Sequence, residues 1–358
     1  MQKKLLWVAE AMGGGVLTYL VELSNRLAGV YDIYLAYGLR PETPPDFKAR
    51  FDPRVHLVEV KDFCREIRPA RDFGALQQLR QLAREIRPDL IHLHSSKAGA
   101  LGRLAWSGRK TPLLYTPHGY SFLMADCSPL RRQMYRTIEA ICGWRRCTTV
   151  SCGAGEHRES LRLARRAAWI PNGIDVEELN RLMALAPAPA QDKPFTVYTL
   201  GRICPQKNPE QFAAVARALP EVHFVWIGEG EQRALLDAPN IEITGWVSRE
   251  EALRRAMEGD VFLLTSRWEG LPMSLLESMY LGKTCAVSDA AGNREVIRTG
   301  ENGFVCRTTE DYVQAIRQAR AGRTMPLIRR ARRDVLDTYN VEAMARAYRQ
   351  LYDGQQAG

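Results

Sequence analysis

Along the first 170 residues, short apolar runs alternate with stretches in which apolar residues recur at spacings of three and four. The runs at 5–9, 33–37, 55–60, 90–93, 113–116 and 148–151 have the length of strands. Between them the spacing predicts helices over 16–27, 73–86, 98–106 and 130–141. Strands that are apolar nearly throughout, each followed by an amphipathic helix, imply a parallel, doubly wound sheet covered on both faces.

The alternation stops at 184–193, a stretch with no period and two prolines, as a connector should have. It then restarts, with strands expected at 195–200, 222–227, 241–244, 261–264 and 285–288 and helices near 209–219, 249–257 and 274–281. Two amphipathic helices, 325–338 and 341–352, close the chain. The expected fold class is α/β, with two Rossmann-like, doubly wound domains whose parallel sheets face each other across a cleft. The domains are drawn at 1–183 and 194–338, joined by the linker 184–193, with a C-terminal helix in 339–358 packing back on the first domain.

Composition fits this picture: 358 residues can bury two cores, and no low-complexity tract interrupts them. The start, 1–8, has two lysines and an apolar run too short for a signal peptide, and no stretch reaches the length needed to span a bilayer. A cytoplasmic protein is expected. Its eight cysteines, with no C-x-x-C, are expected to be reduced thiols, and Cys142, Cys147 and Cys152 to be small buried hydrophobes rather than metal ligands.

The net charge of +9 is uneven: residues 1–170 hold 27 Lys/Arg against 16 Asp/Glu, and the remainder 23 against 25. A basic half suggests a partner with phosphates, a nucleic acid or an anionic membrane surface. Arginines cluster at 131–132, 145–146 and 158–166, the last group interleaved with Leu161, Leu163, Ala164 and Trp169, a pattern that can rest on anionic lipid from the inner face of a membrane. A nucleic-acid partner is not expected, because no aromatics interleave with the cations on a strand face.

Candidate chemistry gathers at strand ends. The first strand runs into Gly13-Gly14-Gly15 and then a helix, so the backbone at Gly14 and Gly15 can approach a ligand and aim amides at an anion. The spacing is not G-x-G-x-x-G, which disfavours a dinucleotide cofactor. In the second half, Gly201-Arg202 and Lys207-Asn208-Pro209 put two cations on a loop before a helix, with Asn208 placed to cap it. Arg202 offers a planar fork and Lys207 a mobile point charge for a diphosphate.

The segment from Ser266 to Glu277 holds two carboxylates eight positions apart, Glu269 on a loop and Glu277 on the helix that follows. Glu269 can accept hydrogen bonds from sugar hydroxyls, and Glu277 can reach a ribose diol. The amides of Gly270, Leu271, Pro272, Met273 and Ser274 mark the turn where phosphate oxygens would sit, proline contributing only its place in it. His92 and His94 share one strand face, but a metal site there lacks a third ligand.

Glu269 and Glu277 reproduce the E-x7-E pattern, and the chain resembles the family-4 retaining glycosyltransferases of GT-B fold over nearly its whole length. Gly201-Arg202 with Lys207 is similar to that family's diphosphate segment, and Ile170-Pro171-Asn172-Gly173-Ile174-Asp175 to its interdomain segment, which brings in Asn172. Thr116-Pro117-His118-Gly119-Tyr120 resembles the family's His-Gly element. The resemblance implies that His118 holds the donor sugar through its ring or its carbonyl, that Gly228 and Glu229 lie near the nucleotide, and that the backbone at Val247 reads the base. Ser96, Lys97 and Tyr120 are expected on the acceptor side.

The resemblance implies retaining transfer from a UDP- or GDP-sugar to a glycan or polyprenyl-diphosphate-linked acceptor, with no cofactor and no metal required. His118, Arg202, Lys207 and Glu269 would be its catalytic residues. Two other functions use the same motifs: a nucleotide-sugar epimerase of similar build, and a non-catalytic subunit of a polysaccharide assembly complex.

Overall fold

In the computed structural model, residues 2–10, 12–40, 43–64, 66–123, 127–185 and 193–354 are described, and most of the expected linker at 184–193 lies outside them. The chain forms two compact units, Met1–Asn172 with Val341–Gly358, and Gly173–Asn340. The first unit contains β1 (Lys4–Ala9), α1 (Gly14–Leu27), β2 (Asp32–Tyr37), β3 (His56–Glu59), α2 (Pro69–Ile86) and β4 (Leu90–His94). It continues with α3 (Ser96–Ala105), β5 (Leu113–Thr116), α4 (Pro129–Gly143), β6 (Thr148–Ser151), α5 (Ala154–Leu163) and β7 (Arg166–Trp169).

The second unit contains α6 (Val176–Leu185), β8 (Thr196–Leu200), α7 (Pro209–Ala218), β9 (His223–Ile227), β10 (Ile241–Ile243), α8 (Arg249–Glu258) and β11 (Val261–Leu264). Then come α9 (Met273–Tyr280), β12 (Thr284–Ser288), α10 (Ala291–Arg294), β13 (Phe304–Cys306), α11 (Thr309–Arg320) and α12 (Met325–Asp337). The last helix, α13 (Val341–Tyr352), belongs to the first unit and lies against α1.

Each unit has one sheet, ordered β3-β2-β1-β4-β5-β6-β7 and β10-β9-β8-β11-β12-β13, and the recorded strand pairs are parallel. In both, the order reverses beside the unit's first strand, between β1 and β4 and between β8 and β11. At such a point the loops leaving the two strands diverge to opposite faces and open a crevice at their carboxyl ends. The glycine turn after β1 and the Gly201 loop after β8 therefore each begin at the mouth of such a crevice.

Several elements escaped the hydrophobic pattern. β7 is a four-residue edge strand with both ends exposed, and β13 has only three residues, so neither makes an apolar run. α5 is rich in Arg and Glu and shows little stripe, and α11 was also missed, although the structure forms the capping box Thr308-x-x-Asp311 at its start.

Arg103 and Glu139, both buried in the first unit, are paired, as burial of a charge requires. The Arg103 guanidinium donates to Glu139 at 2.7 Å and lies 4.1 Å over the Tyr115 ring, whose hydroxyl donates to the other Glu139 oxygen at 2.8 Å. This group ties α3, α4 and β5 together. It also explains Gly99, where a Cβ would stand 2.3 Å from the Tyr115 ring.

Candidate functional site

In the second unit, the loop after β8 and the loop after β11 are stitched along their length. Thr265 Oγ1 donates to the Lys207 carbonyl at 2.8 Å, and the Arg267 amide to the Gln206 carbonyl at 2.8 Å. Gln206 Nε2 donates to the Trp268 carbonyl at 3.1 Å. Across this seam Lys207 Nζ meets Glu269 Oε1 at 2.8 Å, with both side chains largely buried. The sequence placed these two residues 62 positions apart, on separate loops; the fold makes them an ion pair. Asn208 departs from its expected role, for its side chain does not cap α7. It adopts φ +55°, a conformation asparagine tolerates better than most residues, and its Oδ1 accepts from Arg267 at 3.2 Å.

Glycines let the main chain pack closely here. Gly201 has φ +149°, and the Lys207 chain crosses it where a Cβ would stand 3.2 Å from Cε. Gly228 has φ +143°, and a Cβ there would come within 2.2 Å of the Gly201 carbonyl oxygen. That oxygen also accepts from Trp226 Nε1 at 2.8 Å. Arg202 is half-buried, 3.8 Å from Glu231, and Glu229 pairs with Arg233.

Helix α9 starts at Met273, and all eight of its residues are buried. Pro272 stands at its N-cap, so the amides of its first turn point back toward the Gly270-Leu271 loop. Glu277 lies one turn in, buried, with Oε1 accepting from Arg249 Nη1 at 2.7 Å. Arg249 was missed in the sequence because it opens a charge-rich helix that reads as a solvated face. Val247 is half-buried and Trp246 exposed, so the indole is not a core aromatic.

Gly292, also missed, supports this loop from α10. A Cβ there would lie 1.8 Å from the Gly270 carbonyl oxygen and 3.0 Å from that of Glu269. Gly292→Ala is expected to push the Glu269–Gly270 backbone by an ångström or so and to lower turnover about ten- to a hundredfold. Steady-state kinetics would check this, with circular dichroism to confirm that the fold persists.

In the first unit, Gly13 and Gly15 flank Gly14, whose φ of +54° strains any residue with a side chain. Tyr19, one turn into α1, packs edge-on against His118 with centroids 4.6 Å apart. The His118 ring faces inward: Nε2 is 3.1 Å from His94 Nδ1, and Nδ1 is 3.8 Å from Cys152 Sγ. His92 meets Tyr352 at 2.7 Å and Thr116 at 2.8 Å. Burial lowers the pKa of all three histidines, His118 to about 3; for His92 the charge of His118, and for His94 the charges of His92 and His118, add to it. The rings are therefore neutral, and a single proton is shared in the His94–His118 contact.

The alternatives left open for His118 thus narrow. Both ring nitrogens face protein groups, while φ of +56° at His118 and +96° at Gly119 turns the main chain sharply at the end of β5. Glu156 clamps this turn, accepting from the Gly119 amide at 2.6 Å and from the Cys152 amide at 2.7 Å. Glu156→Gln replaces one acceptor with a donor facing an amide. We expect turnover to fall about tenfold, with nucleotide affinity unchanged in a titration.

The acceptor-side candidates are less open than their sequence suggested. Lys97 pairs with Asp72 at 2.7 Å and donates to the Glu66 carbonyl, which ties α3 to the start of α2. Tyr120 is buried, its hydroxyl 2.8 Å from Ser160. Ser96 is half-buried in the first turn of α3, and Asn172 is buried at the end of the first unit's main segment. Among the described residues no group of three or more His, Cys, Asp or Glu is placed to hold a metal ion, and no helix is long and apolar enough to cross a membrane.

Two units of this kind are found in solved proteins of GT-B architecture. Anabaena Alr3699/HepE, in complex with UDP and glucose, superposes with a TM-score of 0.78 over 98% of this chain and 100% of that one, at 16% identity. Sucrose-phosphate synthase from Thermosynechococcus elongatus gives 0.81 over 98% of each, at 17%. The fold is GT-B, a class whose members pair two Rossmann-like units.

Two family models cover most of the sequence: Glycosyltransferase Family 4 matches residues 13–178 and Glycosyl transferases group 1 matches residues 184–334. The chain belongs to the group 1 glycosyltransferases and is an enzyme of that type. It is 26% identical over 339 residues, 84% of each chain, to the UDP-Gal:alpha-D-GlcNAc-diphosphoundecaprenol alpha-1,3-galactosyltransferase of Escherichia coli. To the O-antigen biosynthesis glycosyltransferase WbnH of Escherichia coli it is 26% identical over 305 residues, again 84% of each.

Proposed function

We propose that this glycosyltransferase moves a sugar from a UDP-sugar, with retention at the anomeric carbon, to a hydroxyl of a lipid-diphosphate-linked glycan in bacterial surface polysaccharide assembly. The Lys207–Glu269 pair carries the reading, because it sets a cation and a carboxylate side by side at the carboxyl end of the second sheet. A departing diphosphate gains charge as the glycosidic bond breaks. A cation and helix amides already fixed in place stabilise that charge more than they stabilise the ground state.

The residues divide the work. Lys207, Arg202 and the first-turn amides of α9 neutralise the diphosphate, Glu269 accepts from sugar hydroxyls, and Glu277, held by Arg249, takes the ribose. In the first unit His94 and Cys152 occupy the two ring nitrogens of His118, which supports its carbonyl rather than its ring as the group offered to a ligand. With no carboxylate assigned as nucleophile, the acceptor attacks from the face the diphosphate leaves, and the leaving oxygen takes the acceptor proton. The uridine donor and the lipid-linked acceptor are supported by the named activity of the E. coli galactosyltransferase, and by a solved neighbour holding UDP and glucose.

The test offers UDP-galactose, UDP-glucose and GDP-mannose with a GlcNAc-diphosphate-lipid acceptor and follows nucleotide release and the anomeric configuration of the product. UDP release that needs acceptor, together with an α-linked product, is expected. Turnover with GDP-mannose alone, or a β-linked product, would overturn the reading. Epimerised sugar without acceptor would favour the epimerase.

A further inference from the structure

Helix α4 carries apolar residues on two faces. Tyr135 and Cys142 point inward beside Glu139, which the Arg103 guanidinium holds. Leu130, Met134, Ile141 and Trp144 follow one another at spacings of four, seven and three, so they form a single stripe on the other face. That stripe is bare: Leu130 is 83% exposed, Ile141 67% and Trp144 72%. A soluble helix has no reason to keep such a row in water.

Arginines fringe the stripe. Arg131 and Arg132 stand at its start and Arg145 and Arg146 at its end, all exposed. The end of α5 adjoins it, with the Arg165 amide bonded to the Gly143 carbonyl at 3.4 Å and the Arg165 guanidinium 5.7 Å from the centre of the Trp144 ring. Residues 127–174 contain nine arginines, no lysine, no aspartate and three glutamates. All three glutamates are engaged: Glu139 by Arg103, Glu156 by two main-chain amides, and Glu159 by Arg162 and Arg136. The sequence had placed the apolar anchors at Leu161, Leu163, Ala164 and Trp169. The structure turns Leu163 toward the core and gives the larger part of the stripe to α4.

We propose that the outward face of α4, with the adjoining end of α5, is the surface on which this protein lies against an anionic bilayer. Aliphatic side chains and an indole enter the acyl boundary while the guanidinium groups on either side stay level with lipid phosphates. A nucleic acid would satisfy the arginines and leave Leu130 and Ile141 in water. A second copy of the chain meeting the same face would set arginines against arginines, since a two-fold interface pairs like with like. The inference stands on this face alone and is independent of which donor the enzyme uses.

The full chain is sedimented with vesicles of phosphatidylcholine alone and of phosphatidylcholine mixed with phosphatidylglycerol, at low and high salt. Binding to the mixed vesicles that weakens with salt is expected, with little to phosphatidylcholine. Leu130→Glu with Ile141→Glu should lower the bound fraction roughly tenfold or more while leaving circular dichroism and turnover with a water-soluble acceptor unchanged. A blue shift of tryptophan emission on binding should be diminished in Trp144→Phe. Equal binding to both vesicle types, or undiminished binding by the double variant, would overturn the proposal. So would a nucleic acid that binds while the vesicles do not, or a dimer that the double variant dissolves.

Discussion

Lys207→Ala is expected to lower turnover about a hundred- to a thousandfold, the usual loss when a fixed group facing transition-state charge is removed. The structure adds a second effect. Glu269 sits largely buried with Lys207 Nζ 2.8 Å from one oxygen, so the alanine variant leaves a carboxylate in the interior without its cation. That arrangement costs about 3 kcal/mol in comparable cases. The two effects separate in the paired variant Lys207→Met, Glu269→Gln, which keeps the shape of both side chains and carries no charge. Its stability should return close to that of the parent, measured by denaturant unfolding, while its turnover stays low. Turnover of Lys207→Ala within a few-fold of the parent would remove Lys207 from the chemistry altogether.

The second large effect is a loss of stability in weak acid. His92, His94 and His118 all have pKa values lowered by burial, so in the folded protein they stay neutral well below pH 6.5, where the unfolded chain takes up protons. Stability from this source is complete above pH 6.5 and is lost as pH falls from there toward the folded values, about 3 for His118. Each ring contributes about 1.4 kcal/mol per pH unit within that window. Three together amount to about 4 kcal/mol at pH 5.5, a large part of the stability of an ordinary domain. Denaturant midpoints at pH 7.5 and 5.5 would show it, as would a smaller difference in His92→Gln. Equal midpoints would mean that the rings find room for charge.

Much of this was written in the chain order, because the alternation of strand and helix is a local signal and so are glycines at strand ends. Lys207 and Glu269 could each be singled out by their loops. What could not be seen was that they touch, since their contact depends on β8 and β11 being neighbours in the sheet. Gly292 shows the limit more sharply. Nothing near it in the sequence marks it, and its need for glycine arises only where α10 meets the Gly270 carbonyl. Glu156 lies in a helix whose Arg and Glu content reads as a solvated face, although its carboxylate turns inward to hold two main-chain amides. For His118 the sequence left ring and carbonyl as alternatives. Partners from β4 and from the loop after β6 occupy the ring, and neither lies close to it along the chain.

Helix α13 also bears on how the protein is made. Tyr348 and Tyr352 are fully buried in the first unit's core, where they meet Tyr19 and His92, so a nascent chain that stops at the first unit's main segment has a slot in its interior. Helix α13 must leave the ribosome before that core can close, whereas Gly173–Asn340 has all its strands in hand earlier. Synthesis should therefore finish the middle of the polypeptide first, and a fragment ending at Asn172 should aggregate where an excised 173–340 segment stays folded.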